Sequence, residues 1–334
     1  MSDYALGDQG IAAAFMKQCT KAELKLDADK LVAVINQADA DPKLTSIALD
    51  SLKLSMPASF NKVLNNIIQD VDKVPTEWFK FLADADADTA LTFAKRVLAS
   101  DTSLDRKRGS IRLLGKMGAS EIATPVLSKL IEGVKDESLE PELRLDAIQA
   151  AENSKNPALL SSLKSFYIST DDKPVISYAY ALVGGDAENG GKIFNERTEL
   201  SCLRCHMIGT NGGNVGPNLS EIGKLKTRQY ILESIANPNK SIADGFSEQI
   251  ILTSEGTIVT GIKKDEDENS VTLLDKDGIS IRVAKEAIDQ QKTGQSSMPT
   301  DLIEKISVSD LRDLVEFLST QKTKPLETTG AAGH

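Results

Sequence analysis

Cys202, Cys205 and His206 stand together in the stretch ELSCLRCHMIG, and His206 is one of only two histidines in a chain of 334 residues. Two thiols separated by two residues and followed at once by an imidazole suit four kinds of chemistry. They can bond the two vinyl groups of a haem while the imidazole binds its iron, hold zinc, contribute to an iron–sulfur cluster, or cycle as a dithiol. A structural zinc site usually takes four protein ligands, and only Cys19 or a carboxylate could join these three. A cluster usually takes four thiolates, and the chain has three cysteines. A redox dithiol expects a preceding strand in a βαβ setting, whereas ENGGKIFNERTELSC reads as a helix and then a loop. Each rival lacks a part, so the spacing points to one haem c, bonded through two thioethers from Cys202 and Cys205 with His206 on the iron.

The opposite iron ligand follows by elimination. The other histidine is the terminal His334, so a thioether is the natural partner. Met207 adjoins His206 and cannot reach the far face, and Met1, Met16, Met56 and Met117 lie in the first half of the chain. Met298, in GQSSMPTDL, precedes Pro299, which fixes its own φ and restricts the residue before it. His206 and Met298 are therefore the expected metal ligands. Cys19, in MKQCTKAEL, reads as a small buried apolar side chain.

The elements that must position these residues fall into two blocks. From about residue 20 to 183, segments such as DADKLVAVINQA, FNKVLNNIIQDV and ADTALTFAKRVLAS carry apolar residues at three- and four-residue intervals, each a helix with one buried stripe. RGSIRLLGKMGASEIATPVLSKLIEG aligns with RLDAIQAAENSKNPALLSSLKSFYIS at an offset of 36, placing Ile111 on Ala147, Leu114 on Ala150, Leu127 on Leu163 and Leu130 on Phe166. This resembles HEAT repeats, two-helix units that bury a core by stacking on neighbours. The paired glycines Gly184 and Gly185 mark the expected boundary between a helical-repeat domain, 1–183, and a second domain, 184–325. Within the second, β-branched runs separated by SEGT, DEDEN and DKDG predict three or four short antiparallel strands over about 247–283, in a β-rich insertion of about 245–290. A closing helix follows, capped by Ser307 or Ser309, with Leu311, Leu314, Val315 and Leu318 on one stripe. Residues 326–334 read as a flexible tail.

Composition excludes several classes. A net charge of −10 argues against binding nucleic acid through its phosphates, which needs clustered Lys and Arg. No run of about 18 apolar residues exists to span a membrane. MSDYALGDQGIAAAFMKQC lacks the basic and apolar regions of a secretory signal, so a haem attached outside the cytoplasm implies a leader not in this sequence. No P-loop or dinucleotide-binding glycine pattern is present.

GDAENGGKIFNERTELSCLRCHMIG, GGNVGPNL, SSMPTDL and SDLRDLVEFL together resemble a class I cytochrome c. The likeness is closer to the Pirellula/Verrucomicrobium-type haem-binding domain, in which ANPNKSIADGF, a β segment and MP follow in this order. It covers about residues 186–320, and HEAT-like regions are common companions of that domain. The resemblance implies a mainly α fold, in which Gly190 or Gly191 and Phe194 of the first helix pack against Leu314 and Phe317 of the last. It implies too that the Pro217 carbonyl accepts the His206 ring N–H. The 92 residues between His206 and Met298 exceed the span of a small cytochrome c, and the β-rich insertion accounts for the excess. It either serves the haem or is decorative.

A His/Met iron has no open position, so the expected role is one-electron transfer rather than catalysis, in a periplasmic or otherwise extracytoplasmic location. The family implies a redox partner protein, such as an associated or fused sugar or alcohol dehydrogenase. Two alternatives remain: a haem-based ligand sensor or peroxidase-like enzyme in which Met298 dissociates, and a HEAT-type interaction protein whose cysteines bind zinc or are incidental.

Overall fold

A computed structural model describes residues 13–14, 16–18, 27–36, 41–68, 71, 74–83, 87–168 and 175–323. Cys19, His334 and the expected tail lie outside the described residues. The fold is mainly α with a small five-stranded antiparallel sheet and two short strand pairs, and the chain divides into two compact units, Met1–Tyr167 and Ile168–His334.

The first unit is helical. Its described helices are α1 (Ala28–Ile35), α2 (Pro42–Ser55), α3 (Pro57–Ile67), the short α4 (Phe79–Leu82), α5 (Ala87–Ala99), α6 (Leu104–Lys116), α7 (Thr124–Lys135), α8 (Pro141–Asn153) and α9 (Pro157–Ser162). Side-chain oxygens set their starts: Asp27 accepts from Asp29 N at 3.0 Å, and Asn156 accepts from Ala158 N at 2.9 Å. The segments related by the 36-residue offset are α6–α7 and α8–α9. Of the four aligned pairs, Ile111 and Ala147, Leu114 and Ala150, and Leu127 and Leu163 are buried in both copies, while Leu130 is only partly buried against a buried Phe166. Their first helices are tied together at Asp146, 2% exposed, which faces Arg108 at 3.5 Å and Arg112 at 3.2 Å. The single tryptophan, Trp78, is buried and donates to Thr45 Oγ1 at 3.2 Å.

The second unit contains α10 (Ala187–Glu196), α11 (Cys202–Cys205), the strand pair β1 (Met207–Ile208) and β2 (Asn211–Gly212), α12 (Ile222–Leu225), α13 (Arg228–Ala236), five further strands and α14 (Val308–Thr320). Ser307 caps α14 by accepting from Asp310 N at 3.0 Å, and Leu311, Leu314, Val315 and Leu318 are all buried. The crossing of α10 on α14 is close because glycine lines it. A Cβ on Gly190 would overlap the Asp313 carbonyl oxygen, and one on Gly185 would overlap that of Arg312. Phe194 and Phe317 rings meet beside this contact at 5.7 Å, and a Cβ on Gly191 would lie 3.2 Å from the Phe317 ring. The Asp313 carboxylate accepts from Asp186 N at 2.9 Å and from Asn189 Nδ2 at 2.8 Å. Arg228 forks onto Glu316 with bonds of 2.7 and 2.6 Å, joining α13 to α14.

Here the expected boundary at Gly184 and Gly185 shifts. Residues before it belong to the second unit: Ala181 is fully buried in the core around α14, with Tyr178 and Leu182 packed on it. Gly185 at the expected boundary is a contact glycine, and the chain divides after Tyr167 rather than after 183.

The sheet also differs from expectation. It has five strands rather than three or four: β3 (Ser247–Thr253), β4 (Ile258–Glu266), β5 (Ser270–Leu274), β6 (Ser280–Ala284) and β7 (Ile288–Ser296), in the order β6-β5-β4-β3-β7. All neighbours are antiparallel. Ile251, Val271, Leu273 and Val283 form its own small core. The last strand brings the sheet to Ser296, six residues past the expected end of the insertion. IDQQKTGQS is largely exposed and paired along one edge only, so it carries no apolar alternation to read. The acidic run Asp265–Glu268 lies at the β4–β5 turn, where Glu266 meets Lys263 and Lys285, and Asp267 meets Arg282.

Candidate functional site

The site begins with a sharp turn. Arg197 N–H bonds back to Ile193 at the end of α10, and Ser201 takes a left-handed conformation with φ of 52°, turning the chain into the single turn of α11. That turn places Cys202 and Cys205 on one side, and the His206 N–H bonds to the Cys202 carbonyl at 3.0 Å. The following loop folds back over it through two backbone bonds, Gly213 N to Leu203 O at 2.9 Å and Gly216 N to Cys205 O at 2.8 Å.

The fold-back seats the imidazole. His206 Nδ1 lies 2.9 Å from the Pro217 carbonyl oxygen, so the ring donates from Nδ1 and keeps its lone pair on Nε2. A Cβ on Gly216 would stand 2.8 Å from His206 Cε1 and 2.9 Å from Nδ1; glycine there leaves room for the ring. Burial lowers the His206 pKa, opposed by the Pro217 bond, so the neutral ring persists to lower pH. Burial also pushes the Cys202 thiol up to about 11 and raises that of Cys205, and both are free thiols.

All three side chains face a cavity of about 310 Å³, and Met298 lines the same cavity. Its walls come from α10 (Phe194), α13 (Ile231, Ile235), α14 (Leu314, Leu318) and the segment Ile242–Phe246. These are mostly apolar. Lys226, stacked over the Tyr230 ring at 4.4 Å, supplies a cation to the lining, and Ser241 adds a hydroxyl. The arrangement offers two thiols and an oriented imidazole from one short segment, and a thioether from another 92 residues later.

The sheet bears on both segments. Asp277, in the β5–β6 turn, pairs with Arg204 of α11, and Gly278 lies against Val215, where a Cβ would stand 3.6 Å from its methyl group. At the other end β7 runs straight into Ser297 and Met298. All five residues expected at the site, Cys202, Cys205, His206, Pro217 and Met298, line this one cavity. Among the described residues no three His, Cys, Asp or Glu side chains gather to hold a metal ion, and no helix is long and apolar enough to cross a membrane.

Sequence reasoning assigned no role to Gly216, which seats the ring, or to Asn239 and Ser296, which precede the methionine. Gly216 stands next to Pro217 in GGNVGPNL and offered a signal; Asn239 in ANPNK offered none that spacing could decode. Compared with protein-family models and with curated proteins, the chain matches none.

Proposed function

We propose that the second unit is a class I cytochrome c-type domain that binds one haem c and that the protein transfers single electrons. The observation that carries this is the convergence of Cys202, Cys205, His206 and Met298 on one apolar cavity. The donor set fits the group. Two thiols separated by two residues match the two vinyl groups, and the Gly216 cradle with the Pro217 bond presents an imidazole whose Nε2 is the available donor. A haem bound there supplies one-electron Fe(III)/Fe(II) chemistry.

In this reading Cys202 and Cys205 hold the porphyrin by thioether bonds, so it stays bound through oxidation and reduction. His206 and Met298 would hold the iron, and the thioether would favour its reduced state. Phe194, Ile231, Leu314 and Leu318 would keep water from the bound group, and Lys226, Tyr230 and Ser241 give the cavity a polar edge that would suit its carboxylates. A zinc site is a weaker reading because it needs three or four clustered ligands.

The first unit is then a HEAT-like scaffold, given the buried correspondence of the 36-residue repeat. The partner is a redox protein, such as an associated sugar or alcohol dehydrogenase, and the location is extracytoplasmic, where haem is attached. The test is to express the chain with a leader and haem-maturation machinery, then extract with acid–acetone and record the pyridine haemochrome. Haem retained by the polypeptide is expected; a colourless protein overturns the proposal. Ser297 and Pro299, which flank Met298, are exposed, and this favours a second reading, ligand sensing. Ready carbon monoxide binding by the reduced protein favours that reading over electron transfer.

A further inference from the structure

We infer that Asn239 is a positioning residue for Met298, setting the path of the backbone that carries the thioether into the cavity. The inference rests on the haem reading above and adds to it how the second ligand is placed. The β3–β7 ladder ends at the pair Ser247 and Ser296, with its register already shifted between Ser247 and Gln249. Beyond Ser296 the chain leaves the sheet, and Ser297 and Pro299 are exposed. The ladder alone does not fix the next two residues.

A side chain from outside the sheet takes over at that point. Asn239 Oδ1 accepts from Ser296 N at 2.9 Å, and its Nδ2 donates to Gln295 Oε1 at 3.3 Å. Ser296 Oγ in turn accepts from Met298 N at 3.2 Å. Asn239 is itself well anchored: it follows buried Pro238, which lines the cavity, and lies in the turn closed by Lys240 N to Asn237 O at 3.0 Å after α13. The connection therefore runs from α13, whose Ile231 and Ile235 form the cavity wall, through Asn239 and Ser296 to the Met298 amide. Asparagine supplies an acceptor and a donor on one short side chain, which both bonds require.

The test uses the matured full-length protein with Asn239→Ala, Asn239→Asp and Ser296→Ala. Four quantities are read: covalent haem content, the weak sulfur-to-iron charge-transfer band of the oxidised protein, affinity for added imidazole, which competes with the thioether, and hydrogen exchange of the peptide containing Ser296. Asn239→Ala should keep its haem, weaken the band and bind imidazole about tenfold more tightly, which corresponds to ~1.4 kcal/mol, the scale of one lost hydrogen bond. Asn239→Asp, which keeps the acceptor for Ser296 N–H, should stay closer to wild type. Hydrogen exchange of the peptide containing Ser296 should quicken in Asn239→Ala. If that variant fails to fold, Ser296→Ala, which removes only the acceptor for Met298 N–H, carries the same expectation. A wild-type band with both alanine variants unchanged in band, exchange and imidazole affinity overturns the inference and leaves the haem reading intact. Wild-type protein without covalent haem overturns the haem reading itself, and with it the inference.

Discussion

Replacing Gly190 by alanine sets two effects of opposite sign against each other. Gly190 lies inside α10, where alanine is favoured over glycine by about 1 kcal/mol if nothing else touches the site. The packing opposes this, because the new Cβ would overlap the Asp313 carbonyl oxygen and stand 2.6 Å from its carbon and 2.7 Å from Phe317 Cβ. Two of these atoms are backbone and cannot turn aside, so α14 must move off α10. Overpacking of this kind costs about 1–3 kcal/mol. The same movement stretches the two hydrogen bonds that Asp313 accepts from Asp186 and Asn189, each contributing about 1 kcal/mol. After the helix gain is subtracted, the variant should lose about 2–4 kcal/mol. Hydrogen exchange of α14 peptides reads this unit separately from the other and should accelerate accordingly. Gly191→Ala is the control: its Cβ meets only the Phe317 ring, at 3.2–3.3 Å, and that ring can yield. It should change stability by less than about 1 kcal/mol. If Gly190→Ala slows exchange, alanine's helix preference has won and the close crossing of α10 on α14 is wrong.

Met298→Ala should retain covalent haem while losing the sulfur-to-iron band and lowering the reduction potential, measured by spectroelectrochemistry; an unchanged potential removes Met298 as a ligand. In the haem-free chain the Cys202 thiol, pushed up to about 11 by burial, should be alkylated at pH 8 about a hundredfold more slowly than an ordinary thiol. Its rate should climb about tenfold per pH unit up to that value, since only the thiolate reacts. Mass spectrometry of the labelled peptide at several pH values gives the rate, and ordinary reactivity at pH 8 contradicts the burial. Arg228→Ala should cost about 2 kcal/mol in urea unfolding, with Glu316→Gln costing less because one acceptor survives. Fully buried pairs lose more, but the Arg228 side chain is 35% exposed.

Cys202, Cys205 and His206 were legible as a group because they lie within five residues, and they line one cavity with Met298, which elimination among few histidines and methionines had singled out. The stripe from Leu311 to Leu318 gave α14. The fifth strand was illegible because β7 lies at an edge with little burial, and alternation in a sequence exists only where one face is hidden. The division after Tyr167 was not legible because a glycine that lets helices touch and one that interrupts a helical run between domains look the same until the partner is known. Gly185 needs Arg312, 127 residues away, to explain it. Gly216 under the His206 ring and Asn239 beside Ser296 pose the same problem, since their roles exist only between segments distant in sequence.

Ser247 and Ser296 stand opposite one another, so the polypeptide enters and leaves the five-stranded sheet one strand spacing apart, about 5 Å. The intervening stretch is topologically a cassette. A lineage can gain, lose or enlarge such a piece, and an engineer can splice it out with a short bridge, while the helical scaffold needs no rearrangement to close the gap. The cost of excision falls elsewhere, on Met298, the cavity-lining residue immediately downstream of the exit. Under the proposed haem reading, trading cassettes would offer a route to retune the bound iron's electron affinity without redrawing the architecture around it.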